Sequence, residues 1–169
     1  MAITMHKASV PVFAGRLGSL SKWLERALAH AEAKRFDADT LLVARLAPDM
    51  LPFAKQVQIG CDAAKFCVAR LAGVDAPADD DSEKTIAELQ QRIARTIAFV
   101  ESVPASQIDG SEERAISVPM RGREPLQMSG EQYLLHFALP NFYFHLTTAY
   151  ALLRHNGVEL GKADFLGRR

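Results

Sequence analysis

Residues 129–157, SGEQYLLHFALPNFYFHLTTAYALLRHNG, form the longest strongly patterned run in this 169-residue chain. Ser129 is a natural N-cap, and Gln132 stands three positions later as its capping-box partner. Asn156 and Gly157 follow the last apolar residues, and Arg154 and His155 put basic groups at the negative end of the helix dipole. The run therefore predicts a helix over 130–156. At about 100° per residue, Leu134, His145, Thr148 and Leu152 fall within about 40° of Asn141. Leu135, Phe142 and Leu146 flank this arc on one side, and Phe137 and Phe144 on the other. The opposite side carries His136, Tyr143 and Tyr150.

Asn141, His145 and Thr148 thus lie in the middle of an apolar arc. A buried amide or imidazole without a hydrogen-bond partner costs about 1–3 kcal/mol, so these groups either satisfy one another across a helix interface or line a polar cavity. Pro140 lacks an N–H and is expected to kink the helix just before Asn141, which would help to open such a cavity.

Working outward, residues 6–33 predict a first helix on Val10, Phe13, Leu17, Leu20, Leu24 and Leu28, with the regular helix starting near Pro11. A second helix is expected over 49–72, with Asp49 as N-cap and Gly73 as terminator. Its inward arc centres on Gln56, with Asp49, Phe53, Gly60, Ala63, Cys67 and Leu71 within about 60°. Gly60 and Ala63 are small enough to permit close helix approach or to leave space. Lys55, Gln58, Asp62 and Lys65 are assigned to the opposite side. Residues 74–81, VDAPADDD, read as a solvated acidic linker, and Ser82 as the cap of a third helix over 82–102. Alternation at Ile116, Val118 and Met120, then at Leu126 and Met128 beyond RGRE, predicts a small β-hairpin outside the bundle. Residues 158–169 form a tail without periodicity.

These elements add up to one all-α domain over 1–169, a four-helix bundle with a β-hairpin between its third and fourth helices. Twenty basic side chains balance twenty acidic ones, which gives no support to broad nucleic-acid or membrane-surface binding. No apolar run is long enough to span a bilayer, and MAITMHKASV lacks the form of a signal peptide. Cys61 and Cys67 match neither a zinc nor a redox spacing, so they read as reduced thiols in a cytoplasmic protein.

The run LPNFYFHLTTAYALLRHNGVELGKADFLG, together with LAPDMLPFAKQVQ at the second helix, resembles an uncharacterised bacterial family of the DinB/YfiT-like four-helix-bundle superfamily. That resemblance covers nearly the whole chain. It implies a homodimer, and in many superfamily members a divalent metal held by one histidine of the second helix and an HxxxH pair of the fourth. Some of those members are thiol transferases or metal-dependent hydrolases. Here Asn141-x-x-x-His145 stands in place of the pair and Gln56 in place of the third ligand. Neutral amides are weak ligands for zinc or nickel, so no metal or other cofactor is expected. The expected site is a metal-free pocket for a small polar molecule, formed by Gln56, Asn141, His145, Thr148 and Asp49. Two alternatives stay open: a divergent metal-dependent transferase or hydrolase, and a structural dimer with a buried polar network.

Overall fold

The computed structural model describes residues 3–168. Helix α1 spans Met5–Lys34, α2 Phe53–Ala72 and α3 Ile86–Ser102. Strands β1 (Ala115–Met120) and β2 (Arg123–Ser129) form an antiparallel hairpin. Helix α4 then runs through residues 130–155: one α turn at Gly130–Gln132, a π-helical segment at Tyr133–Ala138 and an α-helix at Leu139–His155. Helix α2 is the centre of the bundle, packed against α4 on one side and α3 on the other, while α1 closes the bundle across all three. Phe13, Phe53, Val57, Leu89, Ile93, Phe142 and Leu146 are fully buried between the helices. Each such side chain contributes about 1.5–3 kcal/mol of hydrophobic stabilisation.

The helix starts show where local chemistry overrides a plausible cap. Asp49 does not cap α2. Residues 47–50 form a turn, closed by Met50 N–H donating to the Ala47 carbonyl at 3.0 Å, and Asp49 points to solvent. Pro52 disfavours the α conformation at Leu51, so the helix starts only after the proline. Ser82 does not cap α3 either. Thr85 does, in a capping box with Glu88. Pro11 lies inside α1 rather than at its start. It is tolerated because Pro11 and Lys7 are both on the solvent side, where water can reach the Lys7 carbonyl that loses its partner. Further along α1 the buried stripe passes through Trp23, Ala27 and Ala31, leaving Leu28 exposed.

The hairpin expected outside the bundle joins it, and so does the tail read as having no periodicity. Ile116 and Val118 of β1 insert into the core, and the β1–β2 register slips at Pro119, where a residue without an N–H is accommodated. The 158–168 segment folds back on α1: Val158 and Leu160 are buried, Phe165 stacks on Trp23 at 5.5 Å, and Arg16 donates to the Phe165 carbonyl at 2.6 Å. Tyr150, assigned to the outer side of α4, packs edge-on against both Trp23 and Phe165.

The acidic linker is mostly exposed, but two of its carboxylates pair with buried cations. Arg92 of α3, whose side chain is 0% exposed, binds Asp62 at 2.8 Å, Asp81 at 2.7 Å and Glu83 at 3.1 Å. Lys65, also buried, binds Asp79 at 2.6 Å and Asp62 at 3.2 Å. The face of α2 carrying Gln58, Asp62 and Lys65 is therefore covered by α3 and by the acidic segment that leads into it. Burial alone would favour neutral Arg92, but the charge of Asp62 and the bonds from Glu83 and Asp81 hold its guanidinium more firmly protonated than usual.

Candidate functional site

Gln56 and His145 meet at the α2–α4 seam. The Gln56 Nε2 donates to the Leu51 carbonyl at 2.9 Å, which turns Oε1 toward His145 Nδ1 at 2.7 Å. An amide oxygen only accepts, so Nδ1 carries the hydrogen and Nε2 keeps its lone pair. Gln56 is 1% exposed and His145 7%. Burial holds the imidazole below its usual 6.5, which keeps it neutral at physiological pH. The loop before α2 supports this geometry. Arg45 donates to the Met50 carbonyl and Phe53 N–H to that of Ala44 at 2.9 Å, which fixes the backbone leading to the Leu51 carbonyl.

The two helices run antiparallel along this seam, as the pairs Gln56–His145 and Arg70–Tyr133 show. Close approach occurs at Gly60, where an added Cβ would come within 2.9 Å of the Leu146 Cδ1. Ile59, Ala63 and Phe66 of α2 face Tyr133, Phe137 and Asn141 of α4 across a cleft of about 160 Å³. The two small residues thus do different things: Gly60 permits contact, and Ala63 leaves space.

The π segment shapes the α4 wall. Pro140 cannot donate to a preceding carbonyl, and the helix widens just before it. The extra residue shifts the phase of everything upstream. Leu135, which regular helical spacing puts with buried Phe142, is 45% exposed, while Tyr133 turns inward to line the cleft. Burial pushes the Tyr133 phenol up to about 12, so it remains protonated, and its oxygen accepts from Arg70 Nη1 at 2.8 Å.

The five expected site residues therefore do not share one point. Gln56 and His145 are bonded to each other. Asn141, one turn from His145, is half-buried on the cleft and makes no side-chain hydrogen bond among the described residues. Thr148 is buried but donates to the Phe144 carbonyl of its own helix at 2.8 Å. Asp49 lies exposed in the loop before α2. Arg70 and Tyr133 were not singled out from the sequence. The wheel that selects Gln56 puts Arg70 within about 40° of it, so a cation on an inward arc was visible. Regular spacing likewise puts Tyr133 beside Phe144 on the flank of the apolar arc. Both cysteines are fully buried, and burial pushes the Cys61 thiol up to about 12, which makes it unreactive.

The residues at the seam do not fit the three-histidine metal centre of the superfamily. They offer one imidazole and two neutral carboxamides, a poor donor set for a divalent transition metal. Among the described residues no three His, Cys, Asp or Glu side chains converge as metal ligands. Among the described residues no helix is long and apolar enough to cross a membrane.

Comparison with known proteins identifies the lineage. No functionally curated protein matches the chain. A DinB family member protein from Shewanella denitrificans, known from its crystal structure, is 42% identical, covering 95% of this chain and 90% of that one, with a TM-score of 0.86. The domain of unknown function DUF1993 matches residues 5–166. With that span, four helices, a hairpin between the third and fourth, and a DinB neighbour of the same shape, the chain belongs to the DUF1993 family of DinB-like four-helix bundles.

Proposed function

We propose that this protein binds a small polar molecule, without a metal, in the cleft between α2 and α4. One observation carries the reading: the Asn141 carboxamide stands on an aromatic-walled cleft with no protein partner among the described residues. A half-buried amide left to solvent gains from a ligand that satisfies both its donor and its acceptor. The Gln56–His145 pair, bonded and almost fully buried, supports a different role, that of fixing the helix register at the end of the cleft. The site therefore divides into a lock and a recognition surface. A crystal structure of protein purified without chelator, combined with elemental analysis, tests this. Non-protein density bonded to Asn141 is expected, with far less than one transition metal per chain. Only water at Asn141 would refute the binding site, and a stoichiometric metal would move the protein to the metal-dependent transferases or hydrolases.

We further read the protein as a cytoplasmic homodimer. On α4, Leu135, Tyr143 and Phe144 are 45%, 36% and 55% exposed, large apolar side chains that a second copy would cover. Light scattering at micromolar concentration is expected to give about twice 18.6 kDa, and a monomer mass would exclude the dimer.

A further inference from the structure

We propose that the Arg70 end of this cleft is an anion subsite, built for the carboxylate of a ligand whose body is flat and apolar. The inference rests on the cleft being a ligand site and names what class of ligand it takes. Arg70 is half-buried, and its guanidinium carbon lies 5.1 Å from the Phe66 ring centroid and 5.6 Å from that of Tyr133. Both rings lie within cation–π distance of the guanidinium, and its N–H edge is the side that can bind. One N–H is used, in the bond to Tyr133. Arg70 has no carboxylate partner among the described residues, and none of its nitrogens is a buried atom lacking a bond, so the unused donors face solvent.

The other charged groups nearby are already matched. Asp62 also lines the cleft, but its carboxylate is bound by Arg92 and Lys65. Lys65 lies over the other part of the Phe66 environment, 5.1 Å from the ring, and is itself bound by Asp79 and Asp62. Among the described residues lining the cleft, Arg70 is thus a cation without a carboxylate partner. A guanidinium fork with free parallel donors selects a carboxylate by paired, charge-assisted bonds. The space between Phe66 and Phe137 then suits an apolar plane, and Asn141 offers it a polar contact further along.

Benzoate and its neutral isostere benzamide are the probes, titrated into the full chain with NMR detection of the Arg70 side-chain N–H and the cleft amides. Benzoate is expected to shift the Arg70 signal and to bind at least about tenfold more tightly than benzamide, since charge-assisted bonds are lost in the amide. In Arg70→Gln that preference disappears. Equal binding of the two probes, or a preference that survives in Arg70→Gln, overturns the anion subsite while leaving the cleft as a binding site. Failure of both probes to shift any cleft residue removes both readings. The benzoate-to-benzamide ratio on the unaltered protein decides the matter even if the variant does not fold.

Discussion

Toward α4, helix α2 presents Gln56 to a neutral imidazole; toward α3, it presents Asp62 to a fully buried arginine and Lys65 to Asp79 of the acidic segment. The first interface holds the neutral Gln56–His145 bond, continued to a backbone carbonyl, and at its far end the bond from Arg70 to the Tyr133 hydroxyl. The second holds four cations, Lys55, Lys65, Arg92 and Arg95, against four carboxylates, Asp62, Asp79, Asp81 and Glu83. A neutral pair costs little to desolvate and gains little. A buried ion pair costs several kcal/mol per charge to desolvate and repays it only with near-complete pairing. The seam near the cleft can therefore lose or rearrange a bond with modest effect. The α2–α3 interface is committed, and it fixes the frame against which α4 and the cleft are placed.

Arg92→Met should produce the largest effect. It leaves Asp62, Asp81 and Glu83 without their shared cation, and breaking such a buried pair costs about 3–5 kcal/mol. Urea unfolding should show this as a lowered midpoint at unchanged slope. A loss below about 1 kcal/mol would mean the network is only a surface assembly, since that is the range of exposed pairs. Next comes the seam. Gln56→Leu and His145→Leu should each cost about 1–3 kcal/mol, because each strands its partner in a buried position. The double variant should cost less than the sum, since leucine at both sites leaves no stranded group at the pair. Additivity of the two would show that the bond does not couple the helices.

The legibility of these two interfaces in the sequence differs for a physical reason. Gln56 and His145 are uncharged polar residues within regular apolar arcs, and helical periodicity alone brings both to the seam. The four long helices follow from the same periodicity, and Ser129 with Gln132 marks the start of α4 correctly. Arg92 and Lys65 carry charge, and charge on a helix ordinarily marks the solvent side. Their burial depends on the path of residues 74–85, which bring Asp79, Asp81 and Glu83 over them, and an acidic run without periodicity does not state its path. The π segment defeats phase arithmetic in a comparable way: it exposes Leu135, which regular spacing puts beside buried Phe142. The tail was missed because one turn, Lys162–Phe165, is too short to show a period, although Phe165 and Trp23 supplied the apolar surfaces.

Acid should separate the two interfaces. Burial keeps native His145 below 6.5. As pH falls through 6.5 the unfolded chain takes up a proton that the native state refuses, so stability falls from there until the native imidazole also protonates. The loss is bounded by one proton's linkage, about 1.4 kcal/mol per pH unit. For Asp79, burial alone would raise the carboxyl, but the Lys65 bond and the Arg92 charge outweigh it and hold the group below 3.8. Its contribution is present above 3.8 and is lost as pH falls through the lower native value. Stability against pH should therefore decline in two stages, one beginning near 6.5 and one below 3.8. His145→Leu should remove the first stage alone. If the first stage persists in that variant, another group causes it.

The smallest effect tests whether the ion network is graded from centre to rim. Lys55 and Asp81 are paired at 3.0 Å with side chains 39% and 40% exposed. Holding two flexible side chains together in water offsets most of their attraction, so Lys55→Met should cost at most about 1 kcal/mol. Asp81 keeps Arg92 as a partner in that variant, which reduces the cost further. Salt distinguishes the rim from the centre. At 1 M NaCl the screening length is about 3 Å, and the effect of Lys55→Met should vanish. The Arg92→Met effect should persist there, because ions do not reach a side chain with no exposed surface. If salt erased both effects equally, Arg92 would be hydrated in solution. The contrast between a committed α2–α3 interface and a yielding α2–α4 seam would then fail at its strongest point.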